Sequence, residues 1–539
     1  MAHGDFADIL IIGAGASGAA AAWRLASSGY SVVVLEQGGW TDPATSPALG
    51  TDWEVRWRTD WHYDPNRRRR PEDYPVNERE SDVTPLMVNA VGGSTVHWTG
   101  HTPRFHPSDF RVKSLDGVAD DWPITYWDLE PFYDLNDRMV GCCGIAGDPA
   151  YPAKPARQTP PLALGADGAR VAGAFDKLGW HWWPSDSYIN SQPYDGRGSC
   201  NNCGQNGLAC TRQARGSADT TYLPKAVKLG AEVRTHCRVF EVTTGQDGRA
   251  TGASYFDTAG EKRHQPARAV IVAANGIGTP RLLLLSKSDR HPSGLANSSG
   301  LVGKDLMFHP IAMVCGIWRE DMQTYRGAIG NVVFSHEFYE TDPRHDFLRG
   351  YGFQMVRSSG PALTAIGFNM PAVIWGDKHH EEFHERFGKT SLLAVVSEDL
   401  PEEHNSITLD AKLKDNHGIP APKVSYKTAP NTRKMLDHGM RMARRVFEAA
   451  GAARTVASPL VRNSGWHLMG TARMGDDPAR SVVNRYGQAH DVDNLFIIDG
   501  SIFVTSAAVN PTPTIQALAL RVAEHIATDR SDLRGPAPS

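Results

Sequence analysis

The stretch "ADILIIGAGASGAAAAWRLASSGYSVVVLEQG" (residues 7–38) carries two kinds of apolar patterning in turn. Ile9–Ile12 is a short unbroken aliphatic run, which suits a parallel strand buried on both faces. Ala19–Leu25 suits a helix, and Val32–Leu35 is a second aliphatic run ending at Glu36. The pattern predicts strand, glycine turn, helix, strand.

Farther along, "AEVRTHCRVFEVTTGQDGRATGASYFD" (231–257) alternates like paired strands around a glycine-containing turn. "ARAVIVAANGIGTPRLLLLS" (267–286) reads as a buried strand entering a helix, with Gly276, Gly278 and Pro280 at the junction. "NLFIIDGSIF" is a strand ending at Asp499, and "NPTPTIQALALRVAEHIA" is a helix begun by proline-rich turns. From about Trp40 to Thr220 periodicity is weak, and the segment reads as long excursions covering a ligand. From about Ile311 to Val456, strand-like segments and one highly charged helix are expected to form a second domain.

Charge and composition narrow the function. Lys and Arg number 56 against 60 Asp and Glu, a formal charge of −4, so no basic field points to nucleic acid or an anionic membrane. The Arg67–Arg70 run lies beside Pro71, Glu72 and Asp73 and is read as a solvated loop. No apolar run reaches the ~18–20 residues a membrane helix needs. The N-terminus is acidic before its apolar run, unlike a secretory signal. With an odd count of seven cysteines, these features lead us to expect a soluble, cytoplasmic protein.

Gly13, Gly15 and Gly18 form G-x-G-x-x-G between a strand and a helix, with Glu36 at the end of the next strand. That context is a dinucleotide fingerprint: the backbone approaches a pyrophosphate at the helix N-terminus, and the acid accepts the ribose hydroxyls. Two patterns resemble metal sites. "HEEFH" (380–384) fits the zinc-protease motif, but its surroundings, "DKHHEEFHERFG", are charged nearly all round and read as a solvated helix face. Cys200, Cys203 and Cys210 have C-x2-C-x6-C spacing, compatible with a small iron–sulfur cluster but read as loop packing or surface thiols. No metal is expected. His467, in "GWHLMGTARMG" (465–475), is compatible by itself with a packed core histidine, a metal ligand or a catalytic base.

The N-terminal fingerprint, "AVGGSTVHWTGHTPRF" (90–105), "DWPITYWDLEPFY" (121–133), "GIGTPRLLLLS" (276–286), "VGKDLMFHP" (302–310) and the C-terminal "HLMGTARMG…NLFIIDGS…NPTPTIQALAL" occur in one order. Together they resemble the glucose–methanol–choline (GMC) family of FAD oxidoreductases over most of the chain. The resemblance implies an α/β fold: a Rossmann-type FAD domain from discontinuous segments (1–40, 221–310 and 457–539) and an α+β substrate domain (311–456) with a mainly antiparallel sheet. Residues 41–220 would cover the FAD. His467 is implied as base and Asn510 as its partner in orienting a hydroxyl. Gly92, Gly93, His97, Trp98, Thr99, Val239, Asp499, Gly500 and Thr512 are implied to bind FAD. Some relatives attach the flavin covalently through the histidine matching His97, and others keep that histidine without the bond.

"GGSTVHWTG" and the His…Asn spacing look most like pyranose oxidases and bacterial glycoside 3-oxidases, including C-glycoside oxidases. The segment "PYDGRGSCNNCGQNGLAC" is similar to large subunits of dehydrogenases acting on sugars and sugar acids. The expected activity is oxidation of a secondary hydroxyl of a pyranose or glycoside, at carbon 3 before carbon 2, with reoxidation by oxygen or a quinone-type acceptor. The alternatives are the catalytic subunit of an electron-transferring sugar dehydrogenase, and a lyase that keeps FAD only structurally.

Overall fold

A computed structural model of the chain describes residues 6–205, 207–358, 360–367, 373 and 375–535. The strand Ala7–Ile12 is buried at every position and pairs in parallel with Val32–Leu35 and with the second half of Lys262–Val272. Glu232–Arg234 extends the parallel sheet beyond Val32–Leu35, and Leu495–Ile497 pairs beside Lys262–Val272. The first half of Lys262–Val272 instead pairs antiparallel with Ala250–Phe256, which pairs with Arg238–Thr244. One long strand therefore belongs to both a Rossmann-type sheet and a meander.

The aliphatic runs are continuous because both faces of this sheet are covered. Ile9, Ile11, Val32, Val34 and Ile271 pack toward the helices Ala16–Ser27 and Thr512–Asp529. Leu10, Ile12, Val33, Val270 and Val272 face the other way, into a second core. Each such side chain contributes about 1.5–3 kcal/mol on burial.

A six-stranded antiparallel sheet runs in the order Arg454–Ser458, Ile311–Ile317, Thr390–Ser397, Tyr351–Arg357, Val333–Phe338, Trp183–Pro184. Its side chains divide with period two. Ala312, Val314, Phe353, Met355, Leu393 and Val395 pack toward the helices Gly165–Leu178 and Pro430–Ala450. Alternate residues turn to the other face, over the Rossmann-type sheet's ligand end. Three further strands, Ser406–Lys414, Pro420–Tyr426 and Asn77–Ser81, form a small sheet.

Two sequence expectations need correction. Residues 41–220 do more than cover a ligand: Trp183–Pro184 is an edge strand of the six-stranded sheet, and Gly165–Leu178 packs on the helix Pro430–Ala450 behind it. The helix Tyr126–Val140 packs against Thr512–Asp529. The Arg67–Arg70 run is not a solvated loop throughout. Arg67 and Arg69 are exposed, but Arg68 is buried, paired with Asp73, and donates to the carbonyls of His62 and Met87 at 2.8 and 3.0 Å. Asp73 accepts in turn from Asn89 at 2.9 Å, so the network braces the backbone around Met87 and Asn89.

Candidate active site

One elongated cavity runs from the glycine turn after the first strand to the inner face of the six-stranded sheet. At its first end Gly13 adopts φ +105°, and a Cβ there would stand 2.4 Å from the Ala273 carbonyl oxygen. The turn thus requires glycine both for its conformation and for its approach to the neighbouring strand. Gly18 lies under the Gly13 carbonyl and does not face the cavity. The helix Ala16–Ser27 opens at Gly15 without a side-chain cap and has no acid in its first turn. Its N-terminal N–H groups are suited to a diphosphate.

Glu36 lies beyond the turn, buried, with Oε2 accepting from the Ala14 N–H and Oε1 from the Gly38 N–H, each at 2.9 Å. Burial pushes its carboxyl up to about 7, against the lowering effect of those two donors. The remaining lone pairs of this carboxylate suit ribose hydroxyls.

Midway, Gly93 (φ +55°) meets Gly15 so closely that a Cβ would stand 2.9 Å from the Gly15 Cα. This contact joins the two glycine turns. Gly92 lies behind it against Asp219 and, like Gly18, is not part of the cavity wall. His97, Trp98, Thr99, Val239, Gly500 and Thr512 all line the cavity. His97 is buried between Trp61 and Tyr63, with ring centroids 5.2 and 5.5 Å away, and its Nδ1 has no hydrogen-bond partner. Burial, reinforced by Arg68, Arg215 and Arg70, holds this imidazole well below its ordinary pKa. Trp98 is anchored by its indole N–H to the Gly216 carbonyl at 3.1 Å.

Asp499 also lines the cavity, but its oxygens already accept from Ser501 N–H, Asn275 N–H and the Thr279 hydroxyl at 2.8, 3.0 and 2.6 Å. It ties the strand end Leu495–Ile497 to the helix Asn275–Leu285. A second uncapped helix, Thr512–Asp529, opens into the same cavity at Pro511 and Thr512. Together the uncapped helix ends, the glycine contact, the Glu36 carboxylate and the unpartnered His97 nitrogen fit an FAD lying along the cavity.

His467 and Asn510 come together at the far end, with His467 Nε2 3.5 Å from Asn510 Nδ2. His467 lines the cavity and is half-buried. Its pKa is held well below 6.5 by burial first, with smaller contributions from His309 and His101, so the ring is neutral at ordinary pH. Its Nδ1 lies 2.7 Å from Nδ1 of His309, a buried residue 158 positions earlier in the chain. Sequence reading gave His309 no role, although it closes the quoted segment "VGKDLMFHP". Its only sequence signal was membership of that segment; its contact is tertiary. His101 and Gln354, likewise unassigned from sequence, also line this end.

The metal-like patterns occupy other places. His380 and His384 are exposed on the helix His379–Arg386, whose Glu382 pairs with Arg386 and, at 3.6 Å, with Arg454. Cys200 and Cys210 are half-buried and Cys203 exposed, all as free thiols. Among the described residues, no group of three His, Cys, Asp or Glu is placed to hold a metal ion. None of the described helices is long and apolar enough to cross a membrane.

A dinucleotide cradle on a Rossmann-type sheet, closed by an antiparallel sheet that faces a neutral histidine, defines a dinucleotide-dependent enzyme of two-sheet architecture. Sequence models described as GMC oxidoreductase match residues 174–311 and 401–519, and one described as an NAD(P)-binding Rossmann-like domain matches residues 11–69. The chain is 44% identical to 2-methyl-1,2-propanediol dehydrogenase of Mycolicibacterium austroafricanum, over 98% of this chain and 96% of that protein. It is 30% identical to the fructose dehydrogenase large subunit of Gluconobacter japonicus, over 97% and 98%. Its fold matches the crystal structure of pyridoxine 4-oxidase from Mesorbium loti with a TM-score of 0.67 at 18% identity, covering 96% of this chain and 99% of that one. The chain belongs to the GMC oxidoreductase family. It is an FAD-binding oxidoreductase acting on alcohol or sugar-like CH–OH groups.

Proposed function

We propose that the protein oxidises a hydroxyl of a compact, largely apolar alcohol, with a small vicinal diol as the best-fitting class, and that His467 is the base. The observation that carries the substrate class is the wall opposite the dinucleotide cradle. The six-stranded sheet sends Ile311, Met313, Val356, Ala394 and Val396 into the cavity, joined by Ile329, and Gln354 is the polar exception on those strands. Gln354 donates from Nε2 to the Gly330 carbonyl at 2.7 Å, which leaves Oε1 to accept one further hydroxyl. A pyranose would bring several hydroxyls against this wall, and each buried without a partner costs about 1–3 kcal/mol. The name of the relative at 44% identity, a 1,2-diol dehydrogenase, agrees with the smaller substrate.

FAD, when bound, supplies the hydride acceptor. An alcohol placed between His467 and Asn510 donates its O–H to His467 Nε2 and accepts from the Asn510 amide. The base takes the hydroxyl proton as the adjacent carbon gives up its hydride, and the depressed pKa of His467 keeps it ready across neutral pH. Oxygen or a quinone-type compound would serve as the terminal electron acceptor.

The carbohydrate reading, at carbon 3 of a glycoside or carbon 2 of a free pyranose, draws on Trp57, Tyr63 and Trp466, aromatic residues of the cavity able to stack on a sugar face. Anaerobic mixing with small 1,2-diols, monoalcohols, free pyranoses and glycosides separates the readings. The diols are expected to bleach the flavin with the highest kcat/KM; fastest bleaching by a pyranose or glycoside overturns the proposed substrate class, and bleaching by none of these substrates overturns the oxidation itself.

A further inference from the structure

His309 immediately precedes Pro310 and the strand Ile311–Ile317 and is fully buried. Its Nε2 lies 3.1 and 2.9 Å from the carbonyl oxygens of Ser506 and Ala507. Carbonyl oxygens only accept, so the hydrogen of this imidazole sits on Nε2. Burial holds the ring neutral, with a pKa of about 4 despite those two carbonyls, so Nδ1 carries a lone pair and no hydrogen. The atom facing it at 2.7 Å is His467 Nδ1, which must therefore donate. A neutral His467 protonated on Nδ1 has its lone pair on Nε2, the nitrogen beside Asn510.

We propose that His309 is a positioning residue that fixes the tautomer of His467, relaying the polarity of the Ser506 and Ala507 carbonyls so that the lone pair of Nε2 is presented to the substrate hydroxyl. The inference rests on the reading of His467 as base. The opposite tautomer would offer the hydroxyl an N–H, which cannot take its proton. It would also set two lone pairs against each other at Nδ1, a repulsion the buried pair avoids. When Nε2 accepts a proton, Nδ1–H still points at an acceptor, so the arrangement serves both states of the base. The carbonyls come from the loop that leads into Asn510, so one turn of chain orders both partners of the hydroxyl.

Three substitutions in the full-length, FAD-loaded protein test this. His309→Leu removes the acceptor, leaving the His467 Nδ1–H buried without a partner and favouring the wrong tautomer. The limiting rate of anaerobic flavin reduction should fall about 10–10²-fold, with substrate affinity and FAD content little changed. His309→Asn offers an oxygen to His467 and an N–H toward the carbonyls, and should recover most of that loss. Imidazole ¹⁵N NMR gives a readout independent of turnover: His467 should be protonated on Nδ1 in the wild type and the Asn variant, and lose that pattern in the Leu variant. A rate and ¹⁵N pattern unchanged in His309→Leu overturn the proposal, as does equal slowing in Leu and Asn variants with parallel losses of Tm. Near-normal flavin reduction in His467→Ala would instead overturn the underlying assignment of the base.

Discussion

Glu36 illustrates how one side chain ties sequence to ligand. Two backbone donors hold its carboxylate at the strand end, yet burial raises its pKa to about 7. The ionised form accepts ribose hydroxyls best, so FAD affinity should be highest above pH 7 and fall as pH drops through that value and the proton binds. Glu36→Gln cannot ionise. It should bind FAD about tenfold more weakly at pH 8 and lose the pH dependence, as measured by FAD dissociation across pH 5.5–8.5; a wild-type pH profile in the Gln variant would refute this assignment. Glu36 was legible because its spacing from the glycine fingerprint is local. His467 and Asn510 were singled out by the family resemblance, which implies a role for each. His309 was not, because its partners lie at 467 and 506–507, and no periodicity links such distant positions.

The strands of the six-stranded sheet show what a single element contributes. On Tyr351–Arg357, Tyr351, Phe353 and Met355 pack into the core behind the sheet while Gln354 and Val356 reach the cavity. Residue parity therefore separates stability from specificity. Gln354→Leu keeps side-chain volume and removes the acceptor. It should lower kcat/KM for a small 1,2-diol about tenfold and leave a monoalcohol of the same shape nearly unchanged, read from anaerobic flavin reduction with both substrates. Equal losses on both would mean that Gln354 supports the sheet rather than selecting the substrate. The alternation was visible as strand-like segments, but which face meets the ligand was not, because both faces are buried. The helices Tyr126–Val140 and Gly165–Leu178 were obscured for a different reason. Pro131 lies inside the first, and three glycines and two aspartates dilute the apolar stripe of the second.

Across the whole molecule, the site is assembled from segments hundreds of residues apart. The cradle comes from the first forty residues together with Gly93, His97 and the helix end at Thr512, the substrate wall from strands between Ile311 and Ser397, and the base with its partners from His309, His467 and Asn510. The centre of the Rossmann-type sheet was readable because Ile9–Ile12, Val32–Leu35 and the end of Lys262–Val272 are local aliphatic runs, whereas its edge strand Glu232–Arg234 carries no such run. The way the chain leaves and re-enters that sheet was carried by the family resemblance instead. The small sheet joining Asn77–Ser81 to Pro420–Tyr426 had no local signal, since its partners are far apart in sequence and the first strand is largely charged and polar.

Alcohol oxidation at this site turns on one proton transfer, to Nε2 of a neutral His467. Its most direct test is the rate of anaerobic flavin reduction by a saturating 1,2-diol, measured against pH in the wild type and in His467→Ala. A base must be unprotonated, and burial places this one well below 6.5. The wild-type rate should therefore rise with pH along a limb on the acid side of 6.5 and stay flat through neutrality. His467→Ala should be slower by about 10²–10⁴-fold and lack the limb, while keeping its FAD and a Tm near that of the wild type. A markedly less stable His467→Ala protein whose folded, FAD-loaded fraction still reduces its flavin at nearly the wild-type rate would show that His467 is a packing residue, and would contradict the account.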